Sequence, residues 1–148
     1  MPIRDAVPAD LATIAGLIRA LADYEDLTDE VVFDEGELGR HLFGATPVAA
    51  VLLATDDHDD VVGMALWHAT FSTFLGRPGI WLEDLFVYPE ARGNGHGRAL
   101  LEALMQRTPG RLEWAVLDWN QPSIEFYERL GARPVAGWTR YRWTAAPA

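Results

Sequence analysis

Leu11, Ile14, Leu17, Ile18 and Leu21 recur three and four residues apart, which makes one side of this stretch apolar and predicts a first helix. Pro8 suits a first turn, and Asp10 brings negative charge to the positive end of the helix dipole. Val7 is a poor cap, and Ile3 to Val7 reads as a short strand ahead of it. The acidic run "ADYEDLTDEVVFDEG" separates this helix from a second, predicted over Glu35–Phe43 and ended by Gly44 and Pro47. The apolar run "PVAAVLLA" is too short to cross a bilayer and predicts a buried strand, Val48 to Ala54. Through the turn "TDDHDD" it leads to a second β-rich segment, Val61 to Phe71, and "FLGRPG" turns that into a third, Ile80 to Val87. Three such segments in succession predict an antiparallel meander. A leucine-rich helix through Leu100, Leu101, Leu104 and Met105 follows, then a strand over Leu112 to Leu117. A last helix covers about Asn120 to Leu130 and is closed by Gly131. "GWTRYRW" alternates like an edge strand. Helices flanking one mixed, mostly antiparallel twisted sheet are expected, an α/β class of α+β type in a single domain over residues 1–148.

Composition narrows the function. A content of 49% hydrophobic residues in 148 is enough for an ordinary core without disulfides or metals. Zero cysteines exclude a covalent acyl-cysteine route and fit a reducing cytoplasm. The start "MPIRDAVPAD" lacks the pattern of a secretion signal, so a soluble cytoplasmic protein without membrane partners is expected. A net charge of −10 opposes nucleic acid and favours cationic partners. The histidines are scattered, and "DDHDD" lacks the spacing of a zinc or calcium site, so no metal is expected. The six tryptophans are read as mostly core by default.

"EARGNGHGRALL" carries the chemistry. Gly93, Gly95 and Gly97 stand on alternate positions directly before a helix, at an entropic cost that a bare main chain must justify. A dinucleotide fingerprint would need glycine where Arg98 stands, and no Gly-Lys-Ser/Thr ending makes a Walker loop. What remains is a helix N-terminus whose amides and dipole suit a pyrophosphate; a flexible turn whose glycines serve only their dihedral angles is the bland alternative.

Here the chain resembles the GNAT superfamily of acetyl-CoA-dependent N-acetyltransferases. Arg92, Gly95 and Gly97 match its Arg/Gln-x-x-Gly-x-Gly/Ala motif. "IRALADYED", "WLEDLFVYPEARGNGHG" and "DWNQPSIEFYERLGA" resemble, in order, blocks of the spermidine/spermine (diamine) and thialysine acetyltransferases. The resemblance implies a GNAT fold, acetyl-CoA (coenzyme A) as acyl donor, a small-molecule amine as acceptor and a homodimer. It places Leu85, Phe86 and Val87 along the pantetheine arm and Arg92, Gly93, Asn94, Gly95, His96, Gly97 and Arg98 at the pyrophosphate. Asn120 and Ser123 fall on the cofactor side, although both residue types also suit a helix cap.

The same resemblance makes Glu83 the general base and Tyr127 the acid that protonates the departing thiolate. An alkylammonium is protonated at neutral pH and needs such a base. An exposed ion-pairing carboxylate and a half-buried core tyrosine are the corresponding bland readings. Tyr24, Glu25 and Asp84 match polar or acidic substrate-binding positions; Trp119 and Trp138 are candidates to flank an extended aliphatic amine. Strand alternation puts Glu83 and Asp84 on opposite faces, giving them separate tasks. Ala136 stands before Gly137-Trp138 where the polyamine enzymes carry an acidic residue, which ranks thialysine-like and other small primary amines beside polyamines. A non-catalytic acyl-CoA sensor and a protein lysine or N-terminal acetyltransferase are the alternatives of other classes.

Overall fold

The computed structural model describes residues 2–146. The chain divides into two compact units, Met1–Trp114 and Ala115–Ala148, each taken by itself below.

In the first unit, β1 (Ile3–Asp5) leads through a 3-10 turn at Pro8–Asp10 into α1 (Leu11–Tyr24), and α2 (Glu35–Phe43) follows. β2 (Ala50–Thr55), β3 (Val61–Ser72) and β4 (Arg77–Val87) then form the meander, before α3 (His96–Arg107) and β5 (Leu112–Glu113). The sheet order is β1-β2-β3-β4-β5, antiparallel throughout except for the parallel β4–β5 pair. Val7 provides no side-chain cap; Asp10 does the work by accepting the Val7 N–H at 2.8 Å while it binds both guanidinium nitrogens of Arg4 at 2.8 and 2.9 Å. Asp34 caps α2 by accepting from the Glu37 N–H at 2.9 Å.

Side chains of alternating residues separate the two faces of the sheet. On one face Val51, Leu53, Met64, Leu66 and Phe86 pack with Ile14, Leu17 and Leu21 of α1 and Leu42 of α2. α3 lies against β2, β3 and β4 and buries Leu100, Leu101 and Leu104 completely, whereas Met105 is 40% exposed. An Arg107–Asp5 ion pair of 3.0 Å ties the end of α3 to β1. Leu101→Ala leaves a cavity in this layer and is expected to cost about 2–5 kcal/mol, read by urea denaturation.

In the second unit, α4 (Gln121–Arg129) is the helix expected from the sequence, with Asn120 as its N-cap and Gly131 just past its end. Two strand expectations fail. The ladder stops at Glu113 instead of running to Leu117, and 137–143 form no strand among the described residues. Alternation makes a segment able to pair but supplies no partner edge. The expectation that the tryptophans are mostly core fails for three of the six: Trp119, Trp138 and Trp143 are 58%, 81% and 86% exposed, whereas Trp67, Trp81 and Trp114 are half-buried.

Candidate active site

The register of β3 with β4 contains one irregularity, and it falls on Glu83. Leu66 lies opposite Asp84 and Trp67 opposite Leu82, so Glu83 is an extra residue in β4, a β-bulge. Residues directly opposite one another share a face. Asp84 therefore takes the face of Leu66, the α1 side, while Leu82 takes the α3 side with Trp67. Trp81, opposite His68, is again on the α1 side, and its indole N–H donates to Glu83 Oε2 at 2.9 Å. The bulge thus brings Glu83 and Asp84 to one face, which corrects the opposite-face expectation. Simple alternation fails because a bulge shifts the pleat by one residue. Trp81 is the partner that sequence reasoning missed; its signal was an indole donor two residues before a strand carboxylate.

The face is electrostatically loaded. Burial first, then the negative charges of Glu83 and Glu25, push the Asp84 carboxyl up from 3.8 to about 6. Burial also raises Glu25, which follows the last residue of α1. A carboxyl with a raised folded pKa holds its proton more tightly in the folded chain, so stability falls as pH rises from about 4 to about 6 and is level above that. Asp84→Asn is expected to remove this slope. The variant should match the parent near pH 4 and exceed it at pH 7 by on the order of 2 kcal/mol, measured as the difference between paired urea melts.

β5 pairs with β4 only at Ile80 and Trp81. From Leu82 to Val87 the same edge of β4 has no strand partner among the described residues, leaving the main chain of Leu85, Phe86 and Val87 free of a ladder on that side. A 3-10 turn at Pro89–Ala91 then delivers the glycine segment. Gly93 and Gly95 have φ of +84° and +86°, and a Cβ added at either would meet nothing within 4 Å. Conformation, not crowding, therefore calls for glycine there. Gly95 caps α3 without a side chain, and its carbonyl accepts from Ala99 at 3.0 Å. The amides of His96, Gly97 and Arg98 open the helix and have no acceptor within it. Bare amides, a positive dipole end and open space fit a pyrophosphate group.

The side chains of this segment look elsewhere. Arg92 donates from Nε to the Val87 carbonyl at 2.9 Å, Asn94 donates to the Ala91 carbonyl at 3.0 Å, and Arg98 binds Glu102 at 2.7 Å. The His96 ring is 6% exposed, and its Nδ1 has no hydrogen-bond partner among the described residues. The Arg92, Asn94 and Arg98 side chains are thus taken up by the protein's own groups.

Tyr24, Glu25, Glu83 and Asp84 thus gather where the end of α1 meets β4. Tyr24 and Phe86 have ring centroids 6.4 Å apart. Trp119, Asn120, Ser123 and Tyr127 belong to the second unit. There Asn120 Oδ1 accepts from the Ser123 N–H at 3.4 Å, the capping role that was the alternative to cofactor contact. Tyr127 is half-buried on α4, its ring 5.5 Å from that of Phe126.

Residues 15–132 match the model of the Acetyltransferase (GNAT) family, a span that runs through both units. The chain belongs to the GNAT acetyltransferase family. It is an N-acetyltransferase, and enzymes of this family use acetyl-CoA as acyl donor. A thialysine N-epsilon-acetyltransferase of Bos taurus is 38% identical over 95% of this chain and 91% of its own length. The L-ornithine N5-acetyltransferase NATA1 of Arabidopsis thaliana is 30% identical over 96% of this chain and 83% of its own. The crystal structure of a BH1408 protein variant from Bacillus halodurans has the same fold, with a TM-score of 0.78 and 22% identity over 97% of this GNAT chain and all of that one. No helix among the described residues is long and apolar enough to cross a membrane.

Proposed function

We propose that this acetyltransferase moves an acetyl group from acetyl-CoA to the primary amine of a small polyamine, diamine or lysine-like substrate, by direct attack within a ternary complex. The observation that carries the reading is the bulge in β4, which sets Glu83 and Asp84 on one face near Glu25. Such a face attracts an alkylammonium and provides a carboxylate to deprotonate it. Thialysine and ornithine, which give two of the relatives their names, both carry a primary amine on a short chain beside further charged groups.

When bound, acetyl-CoA supplies the acetyl group as an activated thioester. The amides of His96, Gly97 and Arg98, opened to it by Gly93 and Gly95, would hold the pyrophosphate. The free edge of β4 from Leu85 to Val87 would hold the pantetheine arm, with Asn120 and Ser123 assigned to the cofactor by the family resemblance. Glu83 accepts the ammonium proton, directly or through water, and Trp81 fixes its carboxylate by the 2.9 Å hydrogen bond. Asp84, Glu25 and Tyr24 are assigned to a second, cationic group of the substrate, and Trp119, in the second unit, is assigned to its aliphatic part by the sequence reading alone. Tyr127 gives a proton to the departing sulfur. Orientation of the two reactants contributes much of the rate. A homodimer and a cytoplasmic location complete the reading, both drawn from the resemblance and composition.

The test is steady-state turnover of acetyl-CoA, followed by thiol release, with thialysine, lysine, ornithine, putrescine and spermidine as acceptors. Turnover with the shorter amines supports the proposal. Tight coenzyme A binding with no thiol released for any amine would overturn it in favour of a sensor.

A further inference from the structure

Arg92 stands at the start of the glycine segment, yet its side chain does not extend along it. The guanidinium carbon lies 4.7 Å from the centroid of the Tyr24 ring and 5.5 Å from that of Phe86, and Nε donates to the Val87 carbonyl at 2.9 Å. Phe86 in turn meets Tyr88 edge-on at 5.7 Å. One planar cation is thus held simultaneously by the last residue of α1, the last two of β4 and its own backbone position beside Gly93. Arginine suits this because its flat, delocalised fork stacks on rings while a separate N–H bonds a carbonyl; lysine has no equivalent geometry.

The neighbours of these contact points are the groups assigned to the two substrates. Glu25 follows Tyr24 directly, and Asp84 precedes Phe86 by two residues on the same face of β4. On the other side, Val87 ends the strand edge assigned to pantetheine, and Gly93 and Gly95 shape the phosphate amides. We infer that Arg92 is a positioning residue that couples the amine site to the cofactor site, its side chain linking the end of α1 to the end of β4 while its main chain begins the phosphate loop. The inference rests on the proposed function for the location of the two sites. Both sites lean on this one stack, so a ligand that holds it from either end changes what the other ligand meets.

The experiment measures coupling, not activity. Coenzyme A is titrated calorimetrically into the full chain with and without a saturating amine found by the acceptor panel, and the amine with and without coenzyme A. The two ratios must agree by linkage. The parent is expected to show a factor within the usual range of about 5 to 150, and Arg92→Lys a factor below about 2. Tyr24→Leu removes the ring from the other side of the stack without touching the loop. It should lose the coupling in the same way, and the double variant should lose no more than either single one. Circular dichroism melts of all three variants establish that they are folded; the Tyr24→Leu result decides the matter should Arg92→Lys fail to fold.

Coupling retained in Arg92→Lys or Tyr24→Leu would overturn the inference, as would a parent that binds both ligands independently. An equal loss of coenzyme A affinity in Arg92→Lys with and without amine would also overturn it, by making Arg92 a phosphate contact. A parent that binds no coenzyme A would instead defeat the proposed function.

Discussion

Glu83→Gln is expected to lower kcat/KM for the amine by about 10²–10⁴-fold near neutral pH, the range typical of losing a general base. Glutamine keeps the size of the side chain and an oxygen that still accepts the Trp81 indole N–H, so the bulge and the melting temperature should be little changed. What disappears is the capacity to take a proton. The decisive feature is the pH profile. Alkylammonium groups lose their proton unaided near pH 10.4, so the variant should recover much of its deficit as pH rises towards that value. The parent should not gain in the same proportion. A loss below about fivefold, or a deficit constant with pH, would remove Glu83 from the base role and leave it a positioning carboxylate.

The second large effect is expected at Gly95. Its φ of +86° lies where a β-branched side chain is strained, while the space a Cβ would enter is open. Gly95→Val therefore keeps the surrounding packing and pulls the backbone at the start of α3 towards an ordinary conformation, which reorients the amides of His96, Gly97 and Arg98 that follow it. The KM for acetyl-CoA should rise on the order of 10- to 100-fold, equivalent to about 1.4–2.7 kcal/mol of lost binding. Gly76 provides the control. It has φ of +63° and equally open surroundings, but lies in the turn between β3 and β4. Gly76→Val should show a similar loss of stability in urea and an unchanged cofactor KM. Equal KM effects in the two variants would mean that the phosphate loop had been misassigned.

These two positions differ in how far they could be read from the chain itself. The glycine segment was legible because its message is local: alternating glycines, a following leucine-rich helix and no competing nucleotide motif. Glu83 was also legible as a candidate, through the Leu-Glu-Asp that precedes the segment. Its surroundings were not. The bulge that turns Glu83 and Asp84 to one face arises from the pairing of β3 with β4, and no single strand carries that information. Asp84 was expected to act apart from Glu83, yet burial first, and then the charges of Glu83 and Glu25, push its carboxyl up to about 6. Arg92 was assigned to phosphate by its place in the motif, and its stack on Tyr24 and Phe86 joins residues more than sixty positions apart.

By itself the sequence determined α1, α2, α3, α4 and the β2–β3–β4 meander, because helix periodicity, caps and turn residues act over three or four neighbours. It also determined the glycine mouth of α3 and the family to which the chain belongs. Only the tertiary structure decided which strand edge stays open, where the ladder beside β4 stops, and why 137–143 forms no strand despite its alternation. It likewise decided which carboxylates share a face. Strand pairing and side-chain stacking depend on partners distant in the chain, and a residue's own neighbours cannot specify who those partners are.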